Sequence, residues 1–407
     1  MHGGKRLKHS GIVCHRTAVW SIAVLAICAG GNDASAQEWK LTSNISQRLS
    51  YTDNLLLSRD RDIDAFGSLT TPAFRLERIS PTSDIALDAR FEFAEYLDHS
   101  EFNSQDQFLN INVDQAISER SALKLTANYT RDTTLKSEQD VTGRFLDDSF
   151  RFVNWNVAPG WIYLVSPIDE IGVRGNYRNV DYHTNAKTDY QYFGPSFDYS
   201  HQLNELAKAT ATVSAFRYIP DRPGDDYTDT ISTLFGYAYT SSERFSIDGG
   251  VGLAYSMRHE DDAKDTSDIG YRLKFNMKYL MSDQLSTRVS LSHDTEPSGD
   301  GDQVVRNRAS VGVDYKVLPL TTLQLKVDYA DNVDVLGFEG DSTTDENSTR
   351  YTSVRPGVSW QLTEDWSLDA EYRFRYRLFD DDGGSATSNA VFLTLQYNFP
   401  TLDGDWF

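Results

Sequence analysis

The sequence has little cysteine, no apolar run long enough for a transmembrane helix, and fewer basic than acidic residues. Its 407 residues include 2 Cys, 39 Lys and Arg, and 60 Asp and Glu, giving a formal net charge of −21. A helical span needs roughly 20 consecutive apolar residues, which excludes a helical membrane protein. A general nucleic-acid-binding protein would need a basic face, so the acidic balance argues against nucleic acid as a partner.

Residues 1–36 have the pattern of a secretory signal peptide. A basic segment precedes an apolar run from Ala18 to Ala29, and Ala34-Ser35-Ala36 supplies a small-residue cleavage site. Both cysteines, Cys14 and Cys28, lie in this segment, so the mature chain cannot use disulfides, thiolate metal sites or cysteine nucleophiles. The alternative is a lipoprotein signal that uses Cys28, which the bulky Ile27 before it disfavours.

The mature chain alternates apolar and polar residues almost throughout and shows no amphipathic helical pattern. In one run Ile269, Tyr271, Leu273 and Phe275 share a parity. Because successive strand side chains face opposite sides, such a run predicts a strand with one apolar face and one polar face. Many runs have 11 to 14 residues, whereas soluble strands usually stop near 5 or 6 and a tilted membrane strand needs about 9 to 11. Eighteen strands are predicted, near 38–51, 65–79, 84–97, 105–116, 121–131, 150–165, 170–180, 189–201, 207–218, 228–240, 244–257, 268–281, 284–293, 304–317, 321–330, 351–362, 365–378 and 388–399.

A repeat of about 41 residues runs through the chain, marked most clearly by Pro72, Pro159, Pro195 and Pro356. Each of these prolines precedes apolar or aromatic residues of its own parity and then a tight turn. A propeller blade has a similar period but needs four short strands, whereas each repeat here holds two long ones. Proline removes a ladder hydrogen bond, so we expect a local bend or bulge at each.

Tight turns alternate with longer polar segments along the chain. The longer segments are 52–64, 132–149, 219–227, 258–267, 294–303, 331–350 and 379–387. Short turns on one rim and long loops on the other are typical of outer-membrane barrels. Aromatic residues near the strand ends fit interfacial girdles. They are Tyr51, Tyr96, Tyr129, Tyr255 and Tyr329 on the long-loop side, and Trp161, Trp360 and Trp366 on the turn side.

These features predict an all-β fold: a single antiparallel transmembrane β-barrel of about 18 strands over residues 37–407, in the bacterial outer membrane. In hydrocarbon every backbone polar group must be paired internally, which only helices and closed barrels achieve. The apolar parity then faces lipid and the polar parity faces the lumen. The alternative is a secreted β-sandwich, whose strands would be shorter and whose core face would need a second sheet.

The phrase Ser50-Tyr51-Thr52-Asp53-Asn54 after the first strand resembles a motif of the β-barrel porin type 2 family, and the repeated proline-aromatic strands are similar too. The ending Tyr397-Asn398-Phe399, or the terminal Phe407, resembles the C-terminal signal of outer-membrane barrels. The resemblance implies a barrel associated with bacterial exopolysaccharide export, with periplasmic export proteins as partners.

Basic residues dominate the lumen parity in the last third of the chain. The predicted basic wall consists of Arg272, Lys274, Lys278, Arg288, Arg306, Arg308, Arg355, Arg373, Arg375 and Arg377, together with Lys316 and Lys326. The same parity carries four acids, Asp314, Asp328, Asp369 and Glu371. In a narrow pore such a wall concentrates anions. The alternative is a lining cross-braced by ion pairs or facing an acidic loop.

Three functions stay open at this level: a pore for export of an exopolysaccharide, with an acidic polymer favoured; a diffusion porin for small anions; and a barrel that serves as a surface anchor or adhesin. Loop 132–149, with Glu138, Asp140, Asp147 and Asp148, is expected to be a solvated external loop, with inward folding as the alternative. No catalytic motif, metal site or cofactor-binding motif is present, so we predict no enzyme activity and no cofactor.

Overall fold

The computed structural model describes residues 38–136, 149–222, 224, 226–259, 264–299, 301, 303–334, 349–379 and 384–404. The predicted signal peptide, residues 1–36, lies outside this part of the chain and stays a prediction. Within the described residues, strands follow one another and there is almost no helix. The helical residues form one turn of 3-10 helix, Ser100–Phe102, and one helical turn at 134–136. No helix among these residues is long and apolar enough to cross a membrane.

The strands form one closed antiparallel barrel. In chain order they are β1 (Glu38–Thr52), β2 (Ala65–Ile79), β3 (Ser83–Tyr96), β4 (Ser104–Ser118), β5 (Ser121–Thr133), β6 (Arg151–Leu164), β7 (Asp169–Tyr182), β8 (Tyr190–Asn204), β9 (Ala207–Pro220), β10 (Tyr227–Ser242), β11 (Phe245–His259), β12 (Thr266–Leu280), β13 (Leu285–Pro297), β14 (Gln303–Leu318), β15 (Thr321–Asp334), β16 (Thr349–Gln361), β17 (Trp366–Phe379), β18 (Ser385–Asn398) and β19 (Leu402–Gly404). Each strand from β1 to β17 pairs with the next, and β1 pairs with β18 from Asn44↔Asn398 to Thr52↔Ala390, which closes the ring.

All eighteen predicted strands are confirmed, with ends that differ from the prediction by a few residues. The short β19 was not predicted; it pairs with the first residues of β1, from Trp39↔Gly404 to Leu41↔Leu402. The alternation of apolar and polar residues also places the two sets of side chains on the predicted faces of the barrel. Ile269 on the apolar parity of β12 is 70% exposed on the outer surface, whereas Ser232 and Ser256 on the polar parity of β10 and β11 are buried.

The recurring prolines lie where the ladder is interrupted. Pro72, Pro159, Pro195 and Pro356 each pair with the preceding strand, but each falls within a two-residue gap in the pairing with the following strand. The absent N–H therefore coincides with a position at which no pairing to the next strand is made, the kind of site where a strand tolerates proline.

The aromatic girdles are present on the outer surface, with one exception. Tyr51, Tyr255, Trp161 and Trp360 are exposed near the strand ends, as interfacial anchors should be. The prediction for Tyr96 was wrong. Its ring packs inward in an edge-to-face contact with Phe102, with centroids 6.5 Å apart, because β3 continues its alternation to its last residue and places Tyr96 on the lumen parity.

Candidate functional site in the barrel lumen

The first long loop, residues 53–64, folds into the lumen. Its inward turn is closed by Asn54, whose Nδ2 donates to the Ser58 carbonyl at 2.8 Å and whose Oδ1 accepts from the Ser58 amide at 3.2 Å. Within the turn, Leu57 has a φ of 49°, a left-handed conformation that costs a non-glycine residue roughly 1–2 kcal/mol. Such strain persists only when surrounding packing over-determines it.

That packing is apolar and reaches both sides of the barrel mouth. Leu55 and Leu56 are buried in a cluster with Phe102 and Leu135. Leu57, with no exposed surface, belongs to a second cluster contributed by β15, β16 and β18. Its partners there are Ala330, Tyr351 and Ala386. The loop therefore fills part of the lumen at the long-loop end.

Charged and polar side chains fasten the loop to the β1–β18 seam. Arg375 on β17 is 1% exposed, and its Nη2 donates to the Asn54 carbonyl at 3.0 Å and to the hydroxyl of Ser388 at 2.9 Å. Asp53 accepts from the backbone N–H and the side-chain amide of Asn389, both at 2.7 Å. The motif singled out by sequence thus lies at the point where the barrel closes and the chain turns inward.

The next inward contact comes from the start of loop 132–149. Leu135 joins the cluster of Leu55 and Leu56, and the amine of Lys136 lies 2.5 Å from Asp106 and 3.5 Å from Glu92. Burial disfavours the charged amine, but the hydrogen bond to Asp106 and its charge outweigh this, so the pKa of Lys136 is raised from its usual value. Residues 137–148, including Glu138, Asp140, Asp147 and Asp148, lie outside the described residues, so the expectation for this loop stays a prediction.

The loop between β13 and β14 also reaches across the lumen, to β7, β8 and β9. The hydroxyl of Tyr218 donates to the Ser298 carbonyl at 2.8 Å, and the backbone N–H of Thr188 donates to the Gly299 carbonyl at 2.7 Å. A side chain at Gly299 would meet Tyr182, since an added Cβ would lie 2.6 Å from the ring. The loop covers an apolar cluster on the lumen face. That cluster consists of Phe152, Val180, Tyr182, Tyr190 and Tyr218.

The structure places the residues of the predicted basic wall on the lumen side of their strands, and many of them are paired. Arg272 makes a two-point contact with Asp294 (2.8 and 2.5 Å). Arg288 lies 2.6 Å from Asp314, and Arg355 lies 2.6 Å from Asp328. Arg306 and Arg308 share Glu296, at 2.5 and 3.6 Å. Cross-bracing by ion pairs, one of the two readings left open by the sequence, accounts for these five arginines.

The remaining wall residues have different surroundings. The guanidinium of Arg373 lies over Phe392, 4.8 Å from its ring centroid, and that of Arg377 lies 4.2 Å from the Phe379 centroid. Arg375 holds the first loop. Within the part of the chain that the structure describes, Lys274 and Lys278 on β12 make no recorded hydrogen bond or ion pair and point into the lumen.

Sequence reasoning missed Asp294 and Glu296, the partners of three wall arginines. We placed these residues in a loop beginning at 294, whereas β13 continues to Pro297. Both continue the parity of Arg288, so extending the strand would have revealed them. Together with Asp268 at the start of β12, they bring the lumen parity of β12 to β17 to twelve basic and seven acidic residues among the side chains that the structure describes. The wall keeps a net positive charge.

A cavity of about 550 Å³ lies along this wall, toward the short-turn end. Lys278, Arg288, Lys326 and Arg355 line it, opposed by three acids. The acids are Asp248, Asp314 and Glu371. The lumen thus holds an open polar compartment below the inward-folded loops, with more basic than acidic side chains on its wall.

A closed barrel of eighteen antiparallel strands, apolar outside and polar inside, defines a porin-type β-barrel of the bacterial outer membrane. No protein-family model matches the chain, and no curated protein matches it. Solved structures with a similar fold include three channels. OpdQ of Pseudomonas aeruginosa is 10% identical, with 90% of this chain and 98% of that chain covered and a TM-score of 0.45.

The second is OccK2 (OpdF) of Pseudomonas aeruginosa in complex with glucuronate, 9% identical, with 88% of this chain and 98% of that chain covered and a TM-score of 0.47. The third is the copper transporter OprC, 12% identical, with a TM-score of 0.46 over 84% of this chain. The chain spans 61% of the length of OprC. These likenesses concern the fold.

Proposed function

We propose that the protein is an outer-membrane channel that favours small anions. The observation that carries this proposal is the lumenal charge of β12 to β17, twelve basic against seven acidic side chains among those that the structure describes, on a chain that is acidic as a whole. A low-dielectric pore wall focuses such a field and raises the local concentration of the opposite charge. Lys274 and Lys278 contribute directly, because neither makes an ion pair with a carboxylate among the described residues.

Inward-folded loops support a channel for small solutes. Leu55 to Leu57 and Ser298 to Gly299 occupy the lumen at the long-loop end, so the open path there is narrower than the barrel itself. A hydrated polymer is wider than a small anion, so the inward-folded loops obstruct a polymer more.

The purified barrel in a planar bilayer tests this proposal. In a tenfold KCl gradient, an anion-favouring channel gives a reversal potential displaced toward the chloride equilibrium potential. A reversal potential at the potassium side, or the absence of any channel current from folded protein, contradicts the proposal. The measurement should be repeated at low and high salt, because ions screen a lumenal field within about 10 Å at 0.1 M.

Export of an acidic exopolysaccharide is the second candidate, and one observation favours it beyond the sequence resemblance. The lumen face of β6 to β9 carries aromatic rings, among them Tyr190 and Tyr218, which would form an apolar surface for sugar rings if the covering loop at Ser298 moved. Periplasmic export proteins would then contact the short-turn rim. A deletion strain that accumulates polymer in its periplasm supports this candidate, and one with normal polymer on its surface contradicts it.

A further inference from the structure

The ladder between β12 and β13 stops short at the long-loop end of the barrel. At this end β12 continues to pair with β11, and β13 with β14, up to the last residues of the strands. Between β12 and β13, however, the pairing ends at Leu273↔His293. Residues 266–272 of β12 and 294–297 of β13 are described, and none of them pairs with the other strand. The upper part of β12 therefore has a backbone edge without a neighbouring strand.

Side chains join the two strands at the level where the ladder ends. On the lumen face Arg272 makes its two-point contact with Asp294, and the same carboxylate accepts from the backbone N–H of Thr295 at 2.9 Å. On the outer face the rings of Tyr271 and His293 stack, with centroids 3.7 Å apart and planes 2° apart. The two strands are thus fastened together up to Asp294.

Beyond this level the end of β13 bends into the lumen together with β14. Gln303 begins β14 opposite Pro297 and is 4% exposed. Its Oε1 accepts from the hydroxyls of Thr230 and Ser256, both at 3.4 Å. These two residues lie on the lumen parity of β10 and β11, so the end of the hairpin passes along the inner side of β12.

The tip of the same hairpin reaches the opposite wall. The Tyr218 hydroxyl donates to the Ser298 carbonyl, and the Thr188 N–H donates to the Gly299 carbonyl. A Cβ added at Gly301, which has a φ of 88°, would lie 4.0 Å from the Cβ of Thr188. Contacts with three separate segments therefore hold the tip inside the lumen.

The free edge of β12 and the end of β13 match each other. Continuing the ladder would place Ile269 opposite Pro297, both with outer parity. The two strand ends also remain close, since a Cβ added at Gly270 would lie 3.7 Å from Thr295 Oγ1. An unpaired strand edge is a template for a further strand. Ladder bonds gained there would replace the bonds lost at the tip, and an element with two alternative sets of contacts is bistable.

We propose that the end of the β13–β14 hairpin, residues 294–299 with Gly301 and Gln303, is a gate with two positions. In the closed position, the one observed, its tip lies across the lumen and β12 keeps a free edge. In the open position the hairpin swings outward about Asp294, the end of β13 pairs with β12, and the mouth widens. The gate sets the width of the proposed channel, so the inference rests on that function.

A disulfide tests the open position, because the chain's two cysteines, Cys14 and Cys28, precede the barrel. Ile269→Cys with Pro297→Cys places the two thiols opposite each other only if the ladder continues. In the closed position Ile269 is 70% exposed on the outer surface, whereas Pro297 is buried. After oxidation the single-channel conductance in bilayers should exceed that of the unaltered protein, and dithiothreitol should restore the lower value.

Two further pairs serve as controls. Thr188→Cys with Gly301→Cys traps the closed position, since Cβ atoms 4.0 Å apart lie within the span of a disulfide. Its oxidised form should conduct no more than the unaltered protein. Tyr255→Cys with Ile269→Cys joins β12 to β11, where the ladder is complete and the residues are already paired on the outer face. This matched disulfide should form and leave the conductance unchanged.

Two results would overturn the inference. One is the absence of the 269–297 disulfide under conditions in which the 255–269 disulfide forms, and the other is a 269–297 disulfide that leaves the conductance unchanged or lower. Mass spectrometry of the cross-linked peptides detects both disulfides without any current. Anion-selective current without the 269–297 disulfide therefore removes the gate and keeps the channel, whereas that disulfide without current in any variant keeps the hinge and removes the channel.

Discussion

The guanidinium of Arg375 on β17 donates to the backbone carbonyl of Asn54, 3.0 Å away, across the seam where the last strands meet the first. Asn54 belongs to the loop that enters the lumen, and Arg375 is almost completely buried by it. A residue on the lumen parity of a basic wall therefore also holds a loop in place. Some lumenal arginines, such as Arg375, shape the pore, whereas other lumenal cations face the solutes inside it.

The contact between Arg375 and the first loop predicts a wider pore when the arginine is removed. Arg375→Met keeps an extended side chain but removes the donors to Asn54 and Ser388, each charged hydrogen bond being worth about 1.5–3 kcal/mol. We expect the loop to loosen and single-channel conductance in bilayers to rise. Arg288→Met removes a lumenal arginine that does not contact the loop and should not increase conductance. Equal conductance for Arg375→Met and the unaltered protein would show that the loop does not depend on this contact.

Because the backbone of Leu57 is left-handed, we expect glycine to destabilise the protein less than alanine at this position, the reverse of the usual order. Leu57→Ala and Leu57→Gly both remove the buried side chain, a loss of about 2–5 kcal/mol. Glycine alone also relieves the strain, so Leu57→Gly should be the more stable of the two by about 1 kcal/mol. Thermal unfolding in detergent measures the difference.

The neighbouring Leu56 provides the control, because it is equally buried but is not among the residues with positive φ. There glycine should be less stable than alanine, by up to about 1 kcal/mol, since glycine loses more backbone entropy on folding. The same order at both positions would contradict the assignment of strain to Leu57.

The barrel could be predicted from the sequence because its determinant is local. Lipid outside and water inside require alternation along every strand, and Ile269 to Phe275 shows this pattern without any knowledge of partners. The inward loops could not be predicted in this way. Leu55 to Leu57 resemble any short apolar run, and their burial depends on Phe102 and Tyr351, which are distant in sequence.

The candidate site was predictable in part for the same reason. Parity identified Arg306 and Arg308 as lumenal, but it did not reveal which carboxylate each contacts. Glu296 was missed because a short polar stretch after His293 has the composition of a loop, whereas pairing with β14 extends the strand to Pro297.

The close approach of Gly299 to Tyr182 predicts that a side chain there displaces the second inward loop. In Gly299→Val the new Cβ would lie 2.6 Å from the ring, so either the loop or the ring must move. We expect loss of the Tyr218–Ser298 hydrogen bond and greater conductance at the mouth. Gly270→Val is the control, since the nearest atom to an added Cβ, Thr295 Oγ1, is at an ordinary 3.7 Å. Unchanged conductance in Gly299→Val would mean that this loop does not limit the path.

Lys274 and Lys278 of β12, which make no ion pair within the described ranges, predict a large change in ion selectivity with little change in structure. Lys274→Gln with Lys278→Gln removes two lumenal positive charges and breaks no recorded ion pair, so stability should change by less than about 0.5 kcal/mol. The reversal potential in a KCl gradient should move toward the potassium side, and more so at 0.1 M than at 1 M salt, where the Debye length falls to about 3 Å.

Arg244→Gln is the control for a change in the protein's net charge that leaves the charge of the lumen unchanged. Arg244 lies in a short turn, 61% exposed and paired with Asp283, so its loss also changes the protein's charge but not that of the lumen. Its reversal potential should equal that of the unaltered protein. If the lysine double variant also keeps that value at low salt, the unpaired charges of β12 do not govern which ions enter. The field would then have to arise from the paired arginines, whose neighbouring carboxylates offset most of it.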